Sequence, residues 1–337
     1  MRKIIVTASG GGHTGYAVTI LRELLKHVSE SEVVVIIPRG DSWTRSRIEA
    51  LSPRVRIVET LKPRHPREPL RIGPLLKALA ESLSAVPRGC VLVSSGSNHS
   101  VPPALSAKIK GGKVVNIESS VRMVSPSASF SWLQRVSDLD VVQWPEQVKL
   151  CRNSRKCFVL PGPLYEEPPV APYDGGYLLV TCGTYGYPEL VKAFIDAWDD
   201  IRSLGIDRMI VQIGREGPEP EEIAGRGIEA FRYSVELPKM IAGAKMVVAH
   251  LGKTAIDAAL GAHKPVIIAP NPRWFGYSAG LEDARMIASK IGAVMIEPPP
   301  TPSKVVEAVS RALKASPPRI PCGAPELVKK ILDLAHA

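Results

Sequence analysis

The chain has 337 residues, enough for two domains of ordinary size, with 5% aromatic residues and a formal net charge of +10. No run of about 18 apolar residues occurs, which excludes a transmembrane helix. Met1 leads straight into an apolar run, which leaves no room for a signal peptide. Five cysteines without a C-x-x-C pair predict unpaired thiols in a reduced compartment, and seven scattered histidines predict no structural metal. The charge is uneven. Residues 1–165 hold 24 Lys/Arg against 12 Asp/Glu, and residues 166–337 hold 19 against 21. A basic half of this kind usually meets nucleic acid or an anionic membrane surface.

The first predicted strand, Lys3–Ala8, runs into Ser9-Gly10-Gly11-Gly12-His13-Thr14-Gly15, and a helix is predicted from about Tyr16 to Val28. Gly10, Gly12 and Gly15 satisfy the dinucleotide fingerprint G-x-G-x-x-G, which wants an acid at the end of the second strand. That strand, Val33–Ile37, ends in Pro38-Arg39-Gly40-Asp41, a partial match. His13 stands at a helix start, where the dipole favours neutral imidazole, the form a general base needs. Strands are predicted at Val55–Glu59, Cys90–Ser94, Val114–Glu118 and Asp140–Trp144, with helical stretches between them. The segment 54–77 carries seven Lys/Arg, with Ile72, Leu75, Leu76, Leu79 and Leu83 at helical spacing. It reads first as a crossover helix, with its Pro-rich start at 63–74 able to touch lipid. Glu118-Ser119-Ser120-Val121-Arg122 crowds a carboxylate, a guanidinium and hydroxyls at a strand's carboxyl end, where open α/β sheets bind ligands.

Pro161 to Pro172 reads as a linker. A second α/β series follows, with strands at Tyr177–Thr181, Met209–Ile213, Ile228–Tyr233 and Val247–Ala249. Helices are predicted at Glu189–Leu204, Leu237–Ala242, Leu281–Ile291, Ser303–Ala315 and Ala324–Ala335. Within it, Val247 to Pro270 reads as strand, turn, helix, strand, with His250-Leu251-Gly252-Lys253-Thr254 as the turn. Free N–H groups and the helix dipole favour an anion at such a turn. Lys253 adds a charge there and Thr254 a hydroxyl.

The motifs taken together resemble GT-B glycosyltransferases that extend polyprenol-linked sugars. They are most similar to the two-subunit UDP-GlcNAc transferase of the dolichol pathway, with both subunits in one chain. Ser9 to His13, Glu118-Ser119 with Arg122, and Val142-Gln143-Trp144-Pro145-Glu146 resemble the membrane-anchoring, acceptor-side subunit. Val180-Thr181-Cys182-Gly183-Thr184, Val211-Gln212-Ile213-Gly214, His250-x-Gly252 and Lys264-Pro265-Val266-Ile267 resemble the catalytic, donor-side subunit. The family turn reads H-A-G-x-G-[ST], with an acid eight residues after the His. Here Leu251 replaces Ala, Thr254 replaces the second Gly, Ala258 replaces the acid, and Asp257 comes one position early.

The resemblance implies an α/β protein of the GT-B class, two doubly wound Rossmann-like domains facing a cleft. The domains are expected at 1–165 and 173–322, with a terminal helix at 323–337 packing back on the first. It implies an inverting transfer of GlcNAc from UDP-GlcNAc, with no cofactor beyond the UDP-sugar co-substrate. The acceptor is a polyprenol-diphosphate-linked sugar in lipid-linked oligosaccharide synthesis for N-glycosylation. The expected location is peripheral, on an anionic membrane at its cytoplasmic face, and no nucleic acid is involved. His13 and Glu118 are the candidate bases. Gly11, Gly12, Thr14, Ser119 and Arg122 are expected on the acceptor side. Gly183, Thr184, Gly214, Arg215, His250, Gly252, Lys253, Thr254 and Asp257 are expected on the donor side. Two rival readings stand beside this one: a nucleotide-dependent oxidoreductase built on Gly10-x-Gly12-x-x-Gly15, and a non-catalytic GT-B scaffold that binds UDP-sugar for a partner.

Overall fold

The structure, a computed structural model, describes residues 1–64, 68, 71–225 and 227–337. The chain divides into two compact units, one of residues 1–164 with 321–337 and one of residues 165–320. Each is built on a parallel sheet, because in each half apolar strands alternate with helices long enough to cross over.

The first unit has seven strands: β1 Ile4–Thr7, β2 Val33–Pro38, β3 Arg56–Thr60, β4 Val91–Ser94, β5 Lys113–Ile117, β6 Leu139–Val142 and β7 Cys157–Val159. Their order across the sheet is β3-β2-β1-β4-β5-β6-β7. Register is set by Ile4 and Thr7 of β1, opposite Val33 and Ile36 of β2 on one side and Val91 and Ser94 of β4 on the other. Strand order reverses between β1 and β4. The loops leaving their carboxyl ends diverge there and open a crevice, the usual ligand position in such sheets. Both faces are covered, so neighbouring residues of a strand are buried on opposite sides. Ile4 and Val6 pack with Tyr16, Ile20, Leu21 and Leu24 of helix α1 (Gly11–Leu24) and with Leu327, Val328 and Ile331 of the C-terminal helix Ala324–His336. Ile5, Ile36 and Leu92 pack with Ala104 and Ala107 on the other face.

The second unit has six strands: β8 Tyr177–Thr181, β9 Arg208–Gln212, β10 Ile228–Phe231, β11 Met246–Ala249, β12 Val266–Ile268 and β13 Val294–Met295. Their order is β10-β9-β8-β11-β12-β13. Its strand order reverses between β8 and β11. The two sheets make the GT-B fold class of the chain.

Several local expectations change. Helix α1 begins at Gly11, five residues before Tyr16, so His13 lies in its first turn. The long helix predicted at 189–204 is two, Pro188–Asp196 and Trp198–Ser203, separated at Ala197. Beyond Lys253–Ile256 the helix widens into a π turn, Asp257–Gly261. Strands β7 and β13 have too few residues for a period to show. Not all thiols are unpaired: Cys151 and Cys157 form a disulfide across the short turn before β7, with Cα atoms 6.0 Å apart. That turn brings together two cysteines whose spacing of six carries no pairing signal of its own. The linker is shorter than predicted. Leu164 is buried in the first unit, its N–H donating to Gln143, while Tyr165 and Glu166 bond within the second.

Candidate functional site

In the first unit, Gly10 (φ 58°) and Gly11 (φ 51°) take left-handed backbone that carries the chain from β1 into α1. Gly11 and Gly12 are exposed. The turn is held from below: the Gly10 N–H donates to Thr44 Oγ1, and that hydroxyl donates to Asp41 Oδ2 at 2.7 Å. Asp41 also caps α2 (Ser42–Leu51) through the Thr44 N–H. The acid demanded by a dinucleotide site is therefore occupied in the scaffold. Thr14 is fully buried with its hydroxyl against Thr44 at 2.8 Å, so it supports the turn and presents nothing to a ligand.

His13 reaches across the β1/β4 reversal, where its Nδ1 lies 2.8 Å from Ser95 O. A carbonyl only accepts, so Nδ1 carries the hydrogen and Nε2 keeps its lone pair. Burial lowers the affinity of the ring for a second proton, partly offset by the Ser95 carbonyl, and nearby Lys62 lowers it further. A half-buried neutral imidazole whose Nε2 has no hydrogen-bond partner among the described residues fits a general base. Gly96 (φ 92°) makes room for it, since a Cβ there would lie 2.9 Å from both Cε1 and Nδ1. The sequence reading missed Ser95 and Gly96. The only available signal was Ser-Gly-Ser at the end of a predicted strand.

Glu118 behaves differently. It is 1% exposed, and its two oxygens accept the N–H groups of Ser119 and Ser127, each at 2.7 Å. Burial pushes its pKa up to about 7 despite those bonds. It organises the 118–127 loop from inside and is less available as a base than His13. The Gln-Trp-Pro-Glu-Gln run fixes the same loop: Gln147 donates to Ser119 O and Arg122 O, and Trp144 Nε1 donates to Ser120 O. Tyr16 of α1 joins in, its hydroxyl 2.6 Å from Ser120 Oγ and 3.3 Å from Ser119 Oγ. Ser119 and Arg122 remain half-buried on this loop, and the Arg122 charge opposes the rise at Glu118.

In the second unit, the loops leaving β8 and β9 pack backbone to backbone. A Cβ on Gly214 would lie 2.5 Å from the Gly186 N and 2.7 Å from the Gly183 O. The N–H groups of Arg215 and Glu216 donate to Thr184 O and Tyr185 O, and Tyr233 Oη donates to Thr184 O. The Thr184 side chain is half-buried on this turn, and Arg215 is exposed.

His250 lies across the β8/β11 reversal, against Gly183. A Cβ on Gly183 would lie 2.9 Å from its Nδ1, and one on Gly252 would lie 3.1 Å from its Nε2. Burial drops the His250 pKa to about 4, and its buried Nδ1 has no hydrogen-bond partner among the described residues. Thr254 is half-buried on the following turn.

Lys253 and Asp257 take other positions than those expected for ligand groups. The Lys253 side chain is 2% exposed, with Nζ 2.5 Å from Asp257 Oδ1 and 3.7 Å from Glu166 Oε1. The Glu166 N–H also donates to Asp257 Oδ1, at 2.7 Å. Four residues along a helix bring 253 and 257 onto one face, and that face is turned to the start of the unit. A lysine so placed neutralises Asp257 and Glu166 rather than a diphosphate. No group of three His, Cys, Asp or Glu side chains able to hold a metal occurs among the described residues.

Comparison with known proteins fits this geometry. The human UDP-N-acetylglucosamine transferase subunit ALG13 is 31% identical over 100 residues, 28% of this chain and only 9% of that protein. The UDP-N-acetylglucosamine--N-acetylmuramyl-(pentapeptide) pyrophosphoryl-undecaprenol N-acetylglucosamine transferase of Prochlorococcus marinus (strain MIT 9211) is 25% identical over 321 residues, 88% of this chain and 83% of its own. The crystal structure of Acinetobacter baumannii MurG superposes with a TM-score of 0.59 at 14% identity, covering 98% of this chain and 99% of the other. Residues 177–321 match the Glycosyltransferase family 28 C-terminal domain. The second unit thus carries a Glycosyltransferase family 28 C-terminal domain, and the whole chain shares its fold with that solved structure.

Proposed function

We propose that the protein is an inverting transferase that moves GlcNAc from UDP-GlcNAc to a polyprenol-diphosphate-linked sugar. The observation that carries the reading is the His250 imidazole held neutral against Gly183 at the strand reversal of the family 28 segment. Its unpartnered nitrogen, the 183–186 and 214–215 backbone and the Thr184 and Thr254 hydroxyls are a set of neutral groups suited to a nucleoside diphosphate.

The acceptor belongs to the first unit. The acceptor hydroxyl gives its proton to His13 Nε2 and attacks the anomeric carbon as UDP departs, so configuration inverts. Backbone N–H groups and the two threonine hydroxyls stabilise the charge on the leaving diphosphate. One chain thereby joins the two roles that the resemblance divides between subunits. The dolichol-type lipid of N-glycan assembly is the acceptor we favour. An undecaprenyl carrier, the lipid in the Prochlorococcus relative's name, has the same diphosphate chemistry.

Contact with an anionic membrane, on its cytoplasmic face, is supported by the basic first half and by helix α3 (Ile72–Ala85). That helix buries Ala78 and Ser82 while exposing Ile72 (76%) and Leu76 (59%). No helix among the described residues is long and apolar enough to cross a membrane. Arg67, part of the basic stretch expected at the membrane, lies outside the described residues.

Thermal shift with UDP, UDP-GlcNAc and UDP-glucose, then turnover on dolichyl- and undecaprenyl-diphosphate sugars, tests the reading. Ligand at 100 times Kd stabilises by about 2.7 kcal/mol. An unmoved melting point with all three nucleotides refutes the donor assignment. UDP binding without turnover on either lipid replaces the enzyme with a scaffold.

A further inference from the structure

The chain passes between its two units twice, at 164–165 and at 320–321. The two crossings are laced together within each unit. In the first the Gly323 N–H donates to Pro163 O at 3.3 Å, and in the second Tyr165 Oη donates to Ile320 O at 2.9 Å. No slack separates the two anchorages: Leu164 is fully buried and Glu166 is 7% exposed.

Each side of the first crossing is fastened to a candidate site loop. On the side of the first unit, the Leu164 N–H donates to Gln143 Oε1 at 2.8 Å. Gln143 Nε2 in turn donates to Glu118 O at 2.7 Å, where the 118–127 loop begins. Gln143 is fully buried, so water does not stand in for a lost bond. On the side of the second unit, the Glu166 N–H donates to Asp257 Oδ1 at 2.7 Å, and the same oxygen accepts from Lys253 Nζ at 2.5 Å. Lys253 directly follows Gly252 in the 250–254 turn. The helix is shaped around this crossing. Its π turn begins at Asp257, and a Cβ on Gly261 would collide with the Glu166 carbonyl. Such turns are rare and concentrate at functional places.

Stability does not account for the arrangement. The side chains of Lys253, Glu166 and Asp257 are only 2%, 7% and 15% exposed. Well-packed apolar residues of similar volume often serve stability as well or better than such a cluster, whereas an ionic cluster imposes one geometry. Here that geometry joins the backbone of the crossing to the donor turn.

We propose that Gln143 and Asp257 are positioning residues that make the 164–166 crossing a strut, so that a nucleotide settling on the 250–254 turn also steadies the 118–127 loop. The ligands rest on the glycosyltransferase reading; the strut rests on the bonds themselves. A ligand held by the turn fixes Lys253, Lys253 fixes Asp257, and Asp257 fixes the Glu166 amide. From Leu164 the restraint passes through Gln143 to Glu118 O. A loop ordered in advance costs its own ligand less entropy, so donor and acceptor bind with positive coupling.

Amide hydrogen exchange on the full chain reads the strut. In wild type, saturating UDP slows exchange of the 118–127 amides by about fivefold or more, at the low end of ordinary coupling, besides protecting 183–186 and 250–254 directly. In Asp257→Leu and in Gln143→Met, UDP still binds and still protects 183–186, which checks folding, but the 118–127 amides no longer respond. Asp257→Asn keeps an oxygen for the Glu166 N–H and keeps the response. Lys264→Met is the control. It removes a buried bond to Tyr173 O, 2.6 Å long, elsewhere in the second unit, and leaves the response intact. The acceptor KM rises by about the same factor in Asp257→Leu while UDP affinity holds. A 118–127 loop that ignores UDP in wild type, an equal response in Asp257→Leu, or an acceptor KM that Asp257→Leu leaves alone overturns the proposal. If UDP fails to bind wild type, the donor reading falls instead. The strut is then decided without ligand: Asp257→Leu must speed exchange of the 118–127 amides, and an unchanged rate overturns it.

Discussion

Replacing Gly96 with alanine tests how His13 is held without touching His13 itself. The new Cβ would lie 2.9 Å from Cε1 and Nδ1, whereas carbon contacts settle near 3.5–4.0 Å. The ring must therefore retreat by roughly 0.5–1 Å, which stretches its 2.8 Å bond to Ser95 O beyond hydrogen-bonding range. The lost bond costs about 0.5–1.5 kcal/mol, and left-handed backbone at a non-glycine residue costs on the order of 1 kcal/mol more. Function suffers more than stability, because misplacing a reacting group by about 1 Å can cost about 10²-fold in rate. The control is Gly89→Ala, where φ is 64° and nothing lies within 4 Å. It carries the backbone strain and spares the ring. Steady-state turnover and thermal melts of both variants, beside His13→Ala, separate the effects. Both glycine variants should melt lower, and Gly96→Ala alone should approach His13→Ala in turnover. Indistinguishable turnover in Gly96→Ala and Gly89→Ala refutes the reasoning.

The other expected outcomes concern stability and surface. His99 and His250 have folded pKa values depressed to about 3 and about 4, so below pH 6.5 the unfolded chain binds more protons than the folded one. Stability falls as pH drops through 6.5 toward those values, by about 2 kcal/mol per histidine at pH 5. Urea melts at pH 7 and 5 should show the loss, and His99→Gln should reduce it; an unaltered slope contradicts the burial argument. Lys253→Met leaves the Asp257 carboxylate buried without its partner and should destabilise by about 3–5 kcal/mol. UDP affinity below the melting transition should stay near wild type, and a large loss of UDP binding would return Lys253 to the donor. Ile72→Asp with Leu76→Asp removes exposed apolar surface worth about 1.5–3 kcal/mol per side chain if fully buried in lipid. Flotation with phosphatidylserine vesicles should drop in the double variant, and equal flotation of both proteins removes α3 from the membrane face.

The sequence by itself determined the fold class, because apolar strands alternate with helical stretches in both halves, and a helical crossover between consecutive strands makes them parallel. It also located Gly10–His13, Gly183–Thr184 and His250–Gly252 at strand ends, since glycines and polar groups interrupting an apolar run mark the carboxyl edge. What it could not determine was direction. Lys253 and Asp257 read as ligand groups because spacing places them beside the turn, yet one helical face carries both toward Glu166. Thr14 and Glu118 read as acceptor-side or catalytic, but burial turns them into supports for Gly10 and for the 118–127 loop. Gly96 and Ser95 were invisible, because each matters only through residues far away in the chain. Strand order alone decides which loops become neighbours. By placing β4 beside β1 and β11 beside β8, it set Gly96 against His13 and His250 against Gly183.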